Sequence, residues 1–155
     1  MATFELQTEI EAPPEVVFDL LADHTKYPLW RPDISEAKLF TERPIRKGSK
    51  GMTRGESAGR EYVNDIEYYE YDRPRFVSGG TTSGTLDAKL TNRFTPTDTG
   101  TKIDLWMEVR FKGFMRLIQP FLMPGVKQQF KNDCTSSKLM GHFRRQNKGG
   151  FTLQI

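Results

Sequence analysis

Few residues of this chain are placed for covalent chemistry. Its two histidines, His24 and His142, lie far apart, and neither belongs to a metal or triad spacing. Cys134 is the one cysteine, which excludes an intrachain disulfide and a Cys-rich metal site. There is no G-x-S-x-G, no H-E-x-x-H and no cysteine paired with a nearby histidine motif. His24 follows Asp23 at a helix junction and reads as exposed or capping. His142, beside Phe143-Arg144-Arg145, fits either face of its helix. Asp87 and Lys89 alternate onto the outward face of their strand and form no buried acid–base pair. The basic loop Ile45-Arg46-Lys47-Gly48-Ser49-Lys50 contains glycine, but it lacks phosphate-loop spacing and leads into no helix. No metal and no nucleotide cofactor is therefore expected. What remains is hydrogen-bonding chemistry. Tyr62, Asn64, Asn92 and Ser137 are scattered among apolar neighbours, which suits orienting a molecule rather than cleaving one.

The elements that must position these groups follow from periodicity. Phe4 to Ile10 alternates as a strand with one wet face. Ala12-Pro13-Pro14-Glu15 stops it and opens a helix, with prolines where their fixed φ and missing N–H are tolerated. Val16, Val17, Leu20 and Leu21 give that helix an apolar stripe, and a short second element ends in Tyr27-Pro28-Leu29-Trp30-Arg31-Pro32. Strands are predicted over Ile34–Thr41, a short stretch near Met52, Arg60–Tyr71, Phe76–Thr82, Leu86–Thr95 and Lys102–Phe111. They follow at hairpin spacing without intervening helices, which calls for an antiparallel sheet of the α+β class. Phe114 to about Gln146 is helical. Pro120 and Pro124 should divide it into a short helix over 114–122 and a long one from Pro124. Val126, Phe130, Cys134, Ser137 and Gly141 recur on one face of the long helix, and three of these five are small.

The opening order of strand, Pro-led helix, short helix and W-x-P resembles the polyketide cyclase/dehydrase and lipid-transport superfamily, the START- and Bet v 1-like (SRPBCC) helix-grip proteins. Glu70-Tyr71-Asp72-Arg73-Pro74-Arg75 resembles the family's turn between middle strands, and Thr97-Asp98-Thr99-Gly100-Thr101-Lys102 its hairpin before the last strand. The resemblance runs over about residues 4–146. It implies a helix-grip fold, in which a curved antiparallel sheet wraps a long C-terminal helix and leaves a cavity between them. Two short helices follow the first strand. Residues 1–148 would form this single domain and 149–155 a tail.

On such a fold, alternation assigns the lining. The last strand offers Leu105, Met107 and Val109, the preceding one Leu90, Asn92 and Phe94, and the middle strand Tyr62, Asn64, Ile66 and Tyr68. The helix offers Phe130, Cys134, Ser137 and Gly141. Small residues there either let sheet aromatics pack close or leave room for a ligand. Trp30 either caps the cavity mouth, as the family's W-x-P tryptophan implies, or packs the short helices on the sheet. The function expected first is binding of a small hydrophobic or amphipathic molecule without a cofactor. A second class is a polyketide aromatase/cyclase or dehydratase-type enzyme, with Tyr62, Asn64 or Ser137 orienting the substrate and His142 as a proton carrier. A third is an interaction module of the ribosome-associated type.

Length and charge bound these readings. A chain of 155 residues fits one core, and 18 aromatics, 11 of them Phe, bury much area each. No charged n-region precedes an apolar stretch, and no apolar run is long enough to span a bilayer, so a cytoplasmic protein is expected. The net charge of +3 is uneven: Lys112 to Lys148 holds eight Lys or Arg and one acid, a net +7, leaving −4 before it. This basic helix reads as a solvated face or as a docking surface, with no specific nucleic-acid partner expected. After Gly149-Gly150, the residues Phe151, Leu153 and Ile155 alternate like a strand. Such a tail either docks, on a sheet edge of its own chain or on that of a second one to make a homodimer, or is a floppy end.

Overall fold

The strand alternation carries over into the structure, a computed structural model that describes residues 2–57, 59–83 and 86–134. Among these residues, seven strands form one antiparallel sheet: β1 Ala2–Ile10, β2 Ile34–Leu39, β3 Lys50–Ser57, β4 Arg60–Asp72, β5 Phe76–Thr81, β6 Leu86–Pro96 and β7 Thr101–Phe111. Their order is β1-β7-β6-β5-β4-β3-β2, so the chain's first strand closes one edge and its second the other. The helix α1, Pro14–Leu21, and a 3-10 helix, His24–Leu29, make the crossing between those edges. Pro14 opens α1, and Val17, Phe18 and Leu20 bury its inner side. This is the curved, open sheet of the helix-grip fold, completed by a C-terminal helix.

Two expectations are corrected. The strand near Met52 is not short: β3 runs for eight residues and pairs with both β2 and β4. Gly51 and Gly55 share one of its faces and erase the side-chain alternation by which a strand is recognised. The C-terminal helix is not divided at its prolines. The helix α2, Met115–Cys134, runs through Pro120 and Pro124, each of which removes one donor from the ladder without ending it. Met115 packs on the sheet, while Phe114, Leu117 and Phe121 stay exposed. Ser137, Gly141, His142 and the tail 149–155 lie outside the described residues. Phe130 and Cys134 fall on α2, but their side chains lie outside the description too.

The long middle strand settles which of its aromatics face inward. A bulge between Tyr68 and Glu70 shifts the register against β5, so Tyr68 pairs with Gly79 and Tyr71 with Val77. Both rings therefore reach the inner face, where they meet edge-to-face at 5.5 Å. Alternation alone would have put them on opposite faces.

Candidate functional site

Pairing registers lay out the inner face of the sheet as rows. One row reads Tyr71, Val77, Asn92, Leu105, Leu6; the next reads Tyr68, Gly79, Leu90, Met107, Phe4. Apart from Gly79 and Asn92, these residues belong to two separate apolar clusters. Under α1 and the 3-10 helix, Phe18, Trp30, Tyr68, Val77, Phe94 and Ile103 pack with Ile10 and Val17. Toward α2, Leu105, Met107, Val109 and Phe111 pack with Phe4, Leu6, Leu90 and Met115. Of the residues predicted to line a cavity, Ile66, Tyr68, Phe94 and Trp30 go to the first cluster, and Leu90, Leu105, Met107 and Val109 to the second.

Asn92 stands at the seam. Across the sheet it pairs with Val77 of the first cluster and Leu105 of the second; along β6 its same-face neighbours are Leu90 and Phe94. It is 6% exposed, and its carbonyl Oδ1 has no hydrogen-bond partner among the described residues. Native proteins rarely leave such an atom unpaired, because a buried acceptor without a partner costs about 1–3 kcal/mol. A second unpaired atom has the opposite polarity: the indole N–H of Trp30, a residue packed edge-on against Tyr27 at 5.5 Å. Asp104 Oδ1 also lacks a hydrogen bond, but it sits 3.6 Å from the Lys102 ammonium on the outer face.

A different set of buried polar groups is tied together by hydrogen bonds. His24 is not exposed, as expected from sequence, but 1% exposed. Capping falls to Asp23, whose carboxylate accepts from the backbone N–H of Thr25 at 3.0 Å and from Arg43 at 3.1 Å. The His24 ring goes inward because both nitrogens find partners there: Nε2 lies 2.8 Å from the Lys38 carbonyl and Nδ1 lies 2.9 Å from the Tyr68 hydroxyl. A carbonyl only accepts, so Nε2 carries the proton and Nδ1 is the ring's acceptor. The His24 backbone N–H donates to the same hydroxyl at 3.0 Å, and the hydroxyl's one proton has two acceptors within reach, Nδ1 and the Ala22 carbonyl at 2.8 Å. Gly51 makes the space, since a Cβ there would collide with the His24 ring and the Lys38 carbonyl. Burial holds the His24 pKa below its ordinary value, against the opposing hydrogen bond to Lys38 and the nearby Asp23 charge. Burial likewise pushes the Tyr68 hydroxyl far up and that of Tyr71 up to about 12.

A third group lies at the W-x-P segment. Tyr62 donates to Asp33 Oδ2 at 2.5 Å, and Arg31 makes a two-pronged pair with the same carboxylate at 2.9 and 3.2 Å. The Arg31 guanidinium also lies 5.6 Å from the Tyr27 ring centre. Tyr62 fits this arrangement because Gly55 opposite has no side chain; a Cβ there would stand 2.7 Å from the Tyr62 hydroxyl. Asn64 is half-buried opposite the buried Thr53. The sequence reading took up Tyr62 but missed Arg31 and Asp33. The available signal was two opposite charges flanking Pro32, directly after Trp30.

Among the described residues, no group of three His, Cys, Asp or Glu side chains converges to hold a metal. No described helix is long and apolar enough to cross a membrane.

Comparison with known proteins gives a family and a fold. The crystal structure of the Zhui aromatase/cyclase from Streptomyces sp. R1128 superposes with a TM-score of 0.76 at 16% identity, covering 97% of this chain and 99% of that one. A START superfamily protein from Mycobacterium smegmatis gives 0.73 at 14% identity, over 94% and 99% of the two chains. Ara h 8.0201 gives 0.71 at 17% identity, over 93% and 98%. At these identities the likeness establishes the helix-grip fold. No curated protein sequence matches the chain. The family model described as polyketide cyclase / dehydrase and lipid transport matches residues 1–137, and the chain belongs to that family.

Proposed function

We propose that this protein binds a small hydrophobic or amphipathic molecule between the inner face of the sheet and the C-terminal helix. The carrying observation is the division of the inner face into two apolar clusters with Asn92 at their seam. A core built only for stability gains nothing from a polar amide at that place, whereas a ligand site needs an apolar wall with a few orienting groups. Leu90, Leu105 and Met107 supply that wall. Phe130, Cys134, Ser137 and Gly141 would face it from the helix, with Trp30 and the Arg31–Asp33–Tyr62 group at the margin. The family description names cyclases and dehydrases beside lipid transport. His24 offers such chemistry no proton carrier, because both its ring nitrogens are engaged inside the core.

Native mass spectrometry of freshly purified full-length protein tests the reading. The expected result is protein carrying non-covalent extra mass that organic extraction removes, or apo protein that takes up 2-methylnaphthalene or 2-naphthol. Bare protein that takes up neither aromatic would contradict it.

A further inference from the structure

The unpaired acceptor on the inner face says what kind of ligand the site is shaped for. Asn92 is more than nine-tenths buried, and its four nearest places on the sheet face are held by Val77, Leu105, Leu90 and Phe94. None of those side chains can donate a hydrogen bond. The backbone of β6 is committed to its ladders with β5 and β7, so among the described residues Oδ1 is an unpaired acceptor on this wall. The geometry points to Asn92 as a specificity-determining residue that accepts a hydrogen bond from a ligand hydroxyl. The ligand class is therefore an apolar body carrying a donor, such as a phenol or hydroxylated ring, and not a plain hydrocarbon. This assignment rests on ligand binding at the concave face.

Three probes of one shape separate the possibilities: 2-naphthol, which donates; 2-methoxynaphthalene, which only accepts; and 2-methylnaphthalene, which does neither. In an apolar site without an acceptor, the hydroxyl loses its water and gains nothing, so the methyl compound binds better. With Asn92 accepting, the wild-type protein binds 2-naphthol at least as tightly as the methyl compound. In Asn92→Leu the ratio of the two dissociation constants moves about tenfold toward the methyl compound, the value of one buried hydrogen bond. The wild-type ranking needs no variant, so the test survives if Asn92→Leu does not fold. Preference for the methyl compound in the wild type, or a ratio unmoved by the substitution, overturns the assignment while leaving ligand binding intact. Preference for the ether overturns it too, since the amide would then present its NH2. If no probe binds the wild type, ligand binding at this face fails and the assignment falls with it.

Discussion

Two buried polar regions lie on the inner side of one sheet, and they are built in opposite ways. At the end near α1, His24, Tyr68, the Ala22 and Lys38 carbonyls and the space left by Gly51 close on one another. Every donor there has an acceptor within hydrogen-bond distance. At the seam, Asn92 presents an acceptor to apolar neighbours and finds no partner for it among the described residues. The first region joins the 3-10 helix to β2 and β4. The second offers an acceptor that joins no described element. Polar groups kept for stability complete their bonds within the chain, and a group left incomplete is available to something from outside.

The contrast breaks most visibly at Tyr68. Tyr68→Phe removes the oxygen shared by His24 and Ala22 and leaves several buried groups unpaired, so unfolding in urea should show a loss of about 3 kcal/mol. Gly51→Ala should cost about 2 kcal/mol, because the new methyl collides with the ring and with a backbone carbonyl. A crystal structure of that variant should show the His24 ring displaced from the Lys38 carbonyl.

Acid tests the same region with a definite sign. His24 is kept below its ordinary value of 6.5 in the fold, so the unfolded chain binds its proton first. Stability is therefore complete above 6.5 and falls as pH is lowered toward the folded value, by up to about 1.4 kcal/mol per pH unit. Asp23 lies below 3.8, since the bonds from Thr25 and Arg43 outweigh the burial that pushes it up. Its contribution is lost only at still lower pH. Urea midpoints between pH 7.5 and 4.5 should fall in the wild type and flatten in His24→Gln.

The smallest effect is expected at the seam, and it sharpens the comparison by its direction. Asn92→Leu replaces an unpaired acceptor by an apolar group of similar size, so stability should stay level or rise by up to about 1 kcal/mol. A loss like that of Tyr68→Phe would mean that Asn92 is bound within the chain after all.

The sequence made the seam more legible than the closed network. Alternation in β6 and β7 is clear in the sequence, so Asn92, Leu90, Leu105 and Met107 could be placed on the inner face by counting. The network depends on Gly51 and His24 meeting across 27 positions, and the packing of Tyr71 against its Tyr68 depends on a bulge in β4 that changes the face of Tyr71. Neither event has a local signature, and a histidine after an N-capping aspartate has the look of a surface residue. The glycines that open space for His24 and Tyr62 are also those that hid the length of β3. In each case, information carried by a missing side chain becomes readable only when the opposing strand is in place.

Side-chain NMR during a titration with 2-naphthol tests the account most directly, because it watches both regions in one sample. The account predicts that the Asn92 side-chain amide shifts and saturates with the added compound, while the His24 ring resonances stay where they were. An unmoved Asn92 amide under saturating ligand, or a His24 ring that shifts in its place, would contradict it.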